Sequence, residues 1–280
     1  TPAKVVAPFT IGQSLSGTVY NDVNGNNDPG GGLVDGVGTN TNTSSQSNHL
    51  TAYLVDSAGK VVKSTAVGDD GTYSFADLAD GRYTVVLADT ETVVAAGQTA
   101  PDASLPAGWV NTGDQTGTTA GGATTATPGV SSDVELSGSD VSEVNFGIEQ
   151  PPEANDGSIG SQRNPGGTKT VEIALDQFSG SDPAPGAVTG YVFTGMPTNA
   201  TSISINGTVY TQDGANGTTA FPSEGVPVKK EDLNEVLIDP EAGAVTVEIP
   251  YTVVDAAGEK DKTPAKVVAP FTIGQSLSGT

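Results

Sequence analysis

The chain has 280 residues, with 33 Asp and Glu against 11 Lys and Arg, a formal charge of −22. A surface this acidic repels nucleic-acid phosphates and anionic lipid headgroups, and no apolar run reaches the roughly 18 residues of a membrane helix. With no Cys, disulfides, thiolate metal sites and thiol catalysis are excluded.

Residues 1–18 and 263–280 read identically, TPAKVVAPFTIGQSLSGT, at a spacing of 262 residues (263 minus 1). Identity over that length implies tandem duplication. The chain reads as one full repeat plus the start of the next, with neighbouring repeats of the same chain as its partners. Such repetition suits a spacer, where copy number sets reach, and rarely an enzyme.

In chain order, LSGTVY at 15–20, HLTAYLVD at 49–56, GTYSFADL at 71–78 and GRYTVVLAD at 81–89 alternate with period two. SDVELSG at 132–138 and SEVNFGIE at 142–149 continue the pattern. Gly, Asn and Asp punctuate the intervals, which predicts an antiparallel sandwich closing near Ile148. The segment 149–167 holds three prolines and no strand pattern, so it reads as a connector and a loop. Strands are predicted again at 169–175, 188–195, 201–211, 226–239 and 244–255. Asn206-Gly207 between alternating apolar residues is a type I′ hairpin signal. KKEDLNEV at 229–236 is predicted as a single helical turn. In the last strand Val245, Val247, Ile249, Tyr251 and Val253 share one apolar face. Ala265, Val267, Ala269 and Phe271 repeat that alternation, with Lys266 on the other face, so 263–273 is predicted to close the second sheet.

The expected fold is therefore all-β, two tandem antiparallel β-sandwiches, the second of the size of an Ig-like domain. Residues 1–10 would be an orphan closing strand from a preceding repeat, 11–149 the first sandwich and 150–165 a connector. Residues 166–273 would be the second sandwich and 274–280 the start of the next repeat. The unit is expected to be a monomeric rod, open to edge-strand exchange through 1–10 and 263–273.

LSGTVYNDVNGNND at 15–28, DDGTYSFADLADGRYTVVL at 69–87 and EVNFGI at 143–148 resemble the SdrD B-like (Cna-B-type) domains of bacterial surface proteins. PPEANDG at 151–157, FSGSDP at 178–183 and VEIPYTVVDAAG at 247–258 look like cadherin-like or Ig-like repeats of large bacterial adhesins. The tandem pair is similar to the extender region of giant RTX adhesins, although the nonapeptide GGxGxD does not occur. A Gram-positive wall-anchored adhesin stays open. The resemblance implies an extracellular, cell-surface location and calcium as the bound ion.

Asp22-Val23-Asn24-Gly25-Asn26-Asn27-Asp28 sets oxygens at every second residue, a spacing that wraps a loop around calcium. Leu33 stands where an EF-hand carries its Glu, so Asp35 is the substitute, and Asp69 or Asp70 would complete the shell. The competing reading is a metal-free Asn/Asp turn. A second cluster, Glu149, Glu153, Asn155 and Asp156, sits at the connector. By motif context the resemblance adds Asp182 and Asp255 to it, as calcium ligands of cadherin-like repeats. The competing reading there is solvated carboxylates.

Catalysis finds little support. His49 is the only His and reads as an exposed strand-edge residue. There is no GxSxG, and Gly166-Gly167-Thr168-Lys169-Thr170 lacks both the spacing and the helix of a phosphate loop. The Lys–Asn isopeptide of Cna-type domains needs a Lys on the first strand, which LSGTVYNDV lacks, although Asn145 is suitably placed. The expectation is a non-enzymatic, calcium-stiffened spacer. The alternative is a directly ligand-binding module that grips glycan or protein, for which Trp109 is the sole Trp available.

Overall fold

The structure, a computed structural model, describes residues 12–25, 33–43, 47–117, 119–121, 129–131, 133–183 and 185–273. The predicted orphan strand 1–10, Asn26, Asp28 and 274–280 lie outside the described residues. The chain divides into two compact units, 1–150 and 151–280.

The first unit holds β1 (Gln13–Asn21), β2 (Val37–Gly38), β3 (Leu50–Asp56), β4 (Val61–Ala66), β5 (Thr72–Leu78), β6 (Gly81–Asp89), β7 (Val110–Thr116), β8 (Thr119–Gly121), β9 (Val134–Leu136) and β10 (Val144–Glu149). One sheet runs β2-β1-β10-β7-β8 with β5 also on β1, and the other runs β4-β3-β6-β9. Alternation decides which side chains meet between the sheets. Leu15, Val19, Phe75, Val144, Phe146 and Ile148 from the first sheet pack on Ala52, Leu54, Val85, Leu87 and Leu136 from the second. β3 is also covered on its outer face, where Tyr53 and Val55 join Val61, Val86 and Ala88 in a smaller cluster. That explains why LTAYLV is apolar at nearly every position. Trp109 packs against the main core as a partly buried loop anchor.

Strands β1 and β10, the first and last of the unit, run parallel, pairing Val19 with Phe146 and Asn21 with Ile148. The remaining ladders are antiparallel. The amide oxygen of Asn145 accepts from Thr18 N–H at 2.9 Å, so this residue ties β10 to β1 by hydrogen bonding.

The second unit holds β11 (Glu153–Asn155), β12 (Gly157–Ser158), β13 (Gln162–Arg163), β14 (Val171–Glu172), β15 (Ser179–Ser181), β16 (Gly190–Phe193), β17 (Ala200–Ile205), β18 (Thr208–Thr211), β19 (Thr219–Ala220), β20 (Val226–Lys229), β21 (Val236–Pro240), β22 (Val245–Val254) and β23 (Ala265–Thr272). One sheet runs β12-β23-β22-β16-β20 with β13 also on β23, the other runs β14-β21-β17-β18-β19, and β11 pairs with β15. Val247, Ile249, Tyr251 and Val253 of β22 meet Val267, Ala269 and Phe271 of β23 in one core with Ile173, Phe178, Phe193, Ile203 and Ile238. Each such large side chain moved from water contributes about 2 kcal/mol before chain entropy is counted. The repeated segment thus supplies β23, which pairs with β22 from Tyr251↔Ala265 to Val245↔Phe271. The β17–β18 hairpin turns on Asn206 (φ 49°) and Gly207 (φ 81°), both in the positive-φ region that a type I′ turn requires.

Three expectations are corrected. The expected connector 150–165 is largely part of the second unit: β11 pairs with β15, and β12 and β13 lie parallel to β23. The strand predicted at 169–175 shortens to β14, and a 3-10 turn follows at Leu175–Gln177. The strand predicted at 226–239 is split, because a turn at Lys229, closed by Leu233 N–H to Lys229 O at 3.1 Å, separates β20 from β21. That turn is where KKEDLNEV was expected to make one.

Candidate functional site

In the first unit the Asn/Asp loop leaves the end of β1 and returns as β2, with Tyr20↔Gly38 and Asn21↔Val37 closing its base. Asp22 and Asp35 therefore flank that base. Gly36 has φ 113°, and a Cβ there would meet the Asn21 carbonyl oxygen at 2.3 Å, so only Gly allows the return. Asp22 is fully buried. Its N–H donates to the Ile148 carbonyl at 2.9 Å, and its Oδ2 accepts from Thr112 Oγ1 at 2.8 Å. Gly147 makes room for this, since a Cβ there would lie 2.3 Å from Thr112 Oγ1 and 2.5 Å from Asp22 Oδ2. Asn24 lies in the turn closed by Gly25 N–H to Asp22 O at 3.2 Å.

Asp70 is exposed, and its carboxylate accepts from Thr72 Oγ1 at 2.7 Å and Thr72 N–H at 3.1 Å. The hydroxyl, and then the amide, hold its pKa below the ordinary value. Asp69 accepts instead from Asn40 Nδ2 at 2.8 Å. The turn bearing both residues abuts β2, where a Cβ on Gly38 would meet the Asp70 carbonyl oxygen at 1.9 Å. Glu149, expected with the connector acids, is 1% exposed at the end of β10, opposite Val110. It belongs to the first unit. Asp114, equally buried on β7 opposite Phe146, is an acid that sequence reasoning missed. VNTGDQT at 110–116 has no apolar alternation, so its pattern predicts no strand there and nothing marks this acid as buried.

In the second unit the structure does bring two predicted acids together. Asp182 follows β15 and Asp255 follows β22. Asp255 is 2% exposed, and its Oδ1 accepts from the N–H groups of Gly258 and Glu259, each at 2.9 Å. Its main-chain carbonyl accepts from Thr189 Oγ1 at 2.6 Å. Asp182 sits beneath the following loop, where a Cβ on Gly186 would come within 2.4 Å of its Oδ2. That Oδ2 is buried and has no hydrogen-bond partner among the described residues. Burial raises the Asp182 pKa to about 6, the Asp255 charge adds to the rise, and the Ala187 N–H opposes it. Two carboxylates held this way favour a proton or a cation between them.

The other predicted acids of this unit have different tasks. Asp156 Oδ1 accepts from Lys266 N–H at 2.9 Å and so fixes the start of β23. Glu153 is exposed, opposite Ser181. Asn155 lends its carbonyl, 2.5 Å from the Tyr251 hydroxyl. That hydroxyl also accepts from Ser179 N–H at 2.9 Å, so Tyr251 pins β11 and β15 to the core. Among the described residues no three Asp, Glu or His side chains gather closely enough to hold a metal by themselves. A calcium shell at either place would draw on main-chain and amide oxygens, which calcium accepts readily.

No family model and no curated protein matches the chain. Solved structures similar to it include a variant of BcpA, the major pilin subunit of Bacillus cereus, at 11% identity and a TM-score of 0.37, covering 94% of this chain and 70% of that one. A streptococcal ancillary pilin is 12% identical with a TM-score of 0.27, covering 97% and 61%. The full-length major pilin SpaD of Corynebacterium diphtheriae is 12% identical with a TM-score of 0.26, covering 95% and 67%. At scores this low the fold is defined by the chain's own sheets. No helix among the described residues is long and apolar enough to cross a membrane.

Proposed function

We propose that this chain is a repeat of a large bacterial cell-surface adhesin, a non-enzymatic extracellular spacer stiffened by calcium that holds a distal ligand-binding region away from the cell. The observation that carries the reading is the identity of 1–18 with 263–280, because the recurring residues 265–272 form the strand that closes the second unit's sheet. A recurrence that is structural in this way suits a module made to be strung together. Calcium is proposed at Asp182 and Asp255, where hard oxygens meet and Asp182 Oδ2 has no hydrogen-bond partner among the described residues. The loop Asp22, Asn24, Asn26, Asp28 and Asp35 is proposed as a further site.

Thermal melting of the whole chain in calcium and in EGTA tests the reading. A ligand that binds only the native state stabilises it by RT ln(1 + [L]/Kd), so calcium should raise the melting temperature. Asp182→Asn should remove most of the second unit's share of that rise. Identical melts in the two solutions would rule out stiffening by calcium.

A further inference from the structure

The pole at which β1 begins is a cleft of about 760 Å³ lined by Gly12, Gln13, Asp77, Asp80, Ser139 and Asp140, among others. Its parts are anchored. A Cβ on Gly12 would lie 2.5 Å from Asp77 Cα, so the chain enters pressed against that backbone, and Asp77 itself takes φ 53°. Ser14 N–H donates to Asp140 Oδ1 at 2.7 Å. Gly138 N–H donates to Asp80 Oδ1 at 3.0 Å, and Gln13 Nε2 donates to the same oxygen. Two things are left over. Gln13 is 8% exposed, and its Oε1 accepts no hydrogen bond among the described residues. The Asp77 carboxylate makes no ion pair among the described residues.

In the second unit, the pole at which β23 ends carries the complement. β23 ends at Thr272, whose register partner is Arg163 on β13. Arg163 is exposed and forms no ion pair among the described residues. The next residue is well fixed: Asn164 N–H donates to Thr272 O at 2.9 Å, and its Nδ2 donates to the carbonyls of Glu241 at 2.7 Å and Gly243 at 2.8 Å. In sequence, the residues Gln13–Thr18 that open β1 recur as Gln275–Thr280, so only Ile273 and Gly274 separate Thr272 from a second Gln13. Three Cα–Cα steps span at most about 11 Å. A following first unit would therefore begin within that distance of Thr272, which puts the pole carrying its acidic cleft next to the pole carrying Arg163.

We propose that successive repeats dock pole to pole, with Arg163 of one repeat's second unit seated in the Gly12–Asp140 cleft of the following repeat's first unit. The guanidinium would pair with Asp77 and Asp80 and offer an N–H to Gln13 Oε1, five donors being available on one planar group. The docking rests on the tandem reading given above but not on calcium. The linkage would be stiffened by a short tether and an ion pair, without any metal.

The test uses a chain carrying residues 1–262 twice in succession and then 263–280. Because the natural sequence has no Cys, exposed Ser223→Cys in the first copy and Ser57→Cys in the second accept nitroxide labels cleanly. Pulsed dipolar EPR in EGTA should give one narrow distance peak. Arg163→Glu in the first copy should abolish that peak in favour of a broad distribution. So should about 1 M NaCl on the unaltered protein, where the screening length falls to about 3 Å. A broad distribution in the unaltered chain at low salt, or a peak unmoved by Arg163→Glu, would overturn the docking. A missing calcium response in melting would defeat the stiffening by calcium and leave these distances as they are, so the two failures are separable.

Discussion

Lowering the pH in EGTA should stabilise the second unit through one carboxylate. Asp182 has its pKa raised from 3.8 to about 6, first by burial and then by Asp255. The folded state therefore binds the Asp182 proton more tightly than the unfolded chain does. Between those two values, stability falls as pH rises, and above about 6 the full penalty is present. A fully shielded group with such a shift would account for about 3 kcal/mol, but Asp182 is partly exposed, and solvent screening reduces this to about 1 kcal/mol. For a unit of this size that is about 3–5 °C in melting temperature. Differential scanning calorimetry at pH 7.5 and pH 5 in EGTA measures it. Trp109 lies in the first unit and is the sole Trp, so its fluorescence assigns the first unit's transition and leaves the other to the second. Asp182→Asn should flatten the rise on acidification. A second-unit transition that drops between pH 7.5 and 5, or that rises equally in Asp182→Asn, would refute the reasoning. In calcium the dependence should invert, because a metal competes with the proton and its binding strengthens as pH rises through 6.

Asp22→Ala should cost the first unit about 1–3 kcal/mol even in EGTA, because Thr112 Oγ1 loses a buried acceptor. Any further loss seen only in calcium, read by the Trp109 melt, would report metal at the loop. Phe271→Ala should cost the second unit about 3–5 kcal/mol by urea unfolding, since Phe271 is 2% exposed within its core. Ending the chain at Lys262 should be worse still, because β22 then loses its whole β23 partner.

The elements legible in the sequence were those set by local pattern. Val247, Ile249, Tyr251 and Val253 announced β22 by alternation, and Asn206-Gly207 announced a hairpin by its demand for positive φ. What stayed hidden depends on distant partners. β12 and β13 are two residues each, too short for any period to show, and they are strands only because β23 lies alongside. The parallel pairing of β1 with β10 joins residues more than a hundred positions apart, and nothing in either segment states it. The acids divide the same way. Motif context linked Asp182 to Asp255, and the fold brings them together. Glu149, Glu153 and Asp156, adjacent in sequence, are parted by burial: one inside the first unit, one in solvent, one on the backbone of β23. Spacing along the chain cannot reveal which carboxylates lose water.

The first-to-last parallel pairing also has a mechanical meaning. Tension drawn through the first unit pulls β1 by its beginning and β10 by its end, in opposite directions along neighbouring strands. The bonds of that ladder are then loaded together in shear rather than peeled one after another. In the second unit β12 and β13 also lie parallel to the last strand β23, behind the antiparallel β11–β15 pair that the chain enters first. The first unit would meet a stretching force at the ladder where its chain enters and leaves, and its resistance would be set by the unfolding barrier rather than by equilibrium stability.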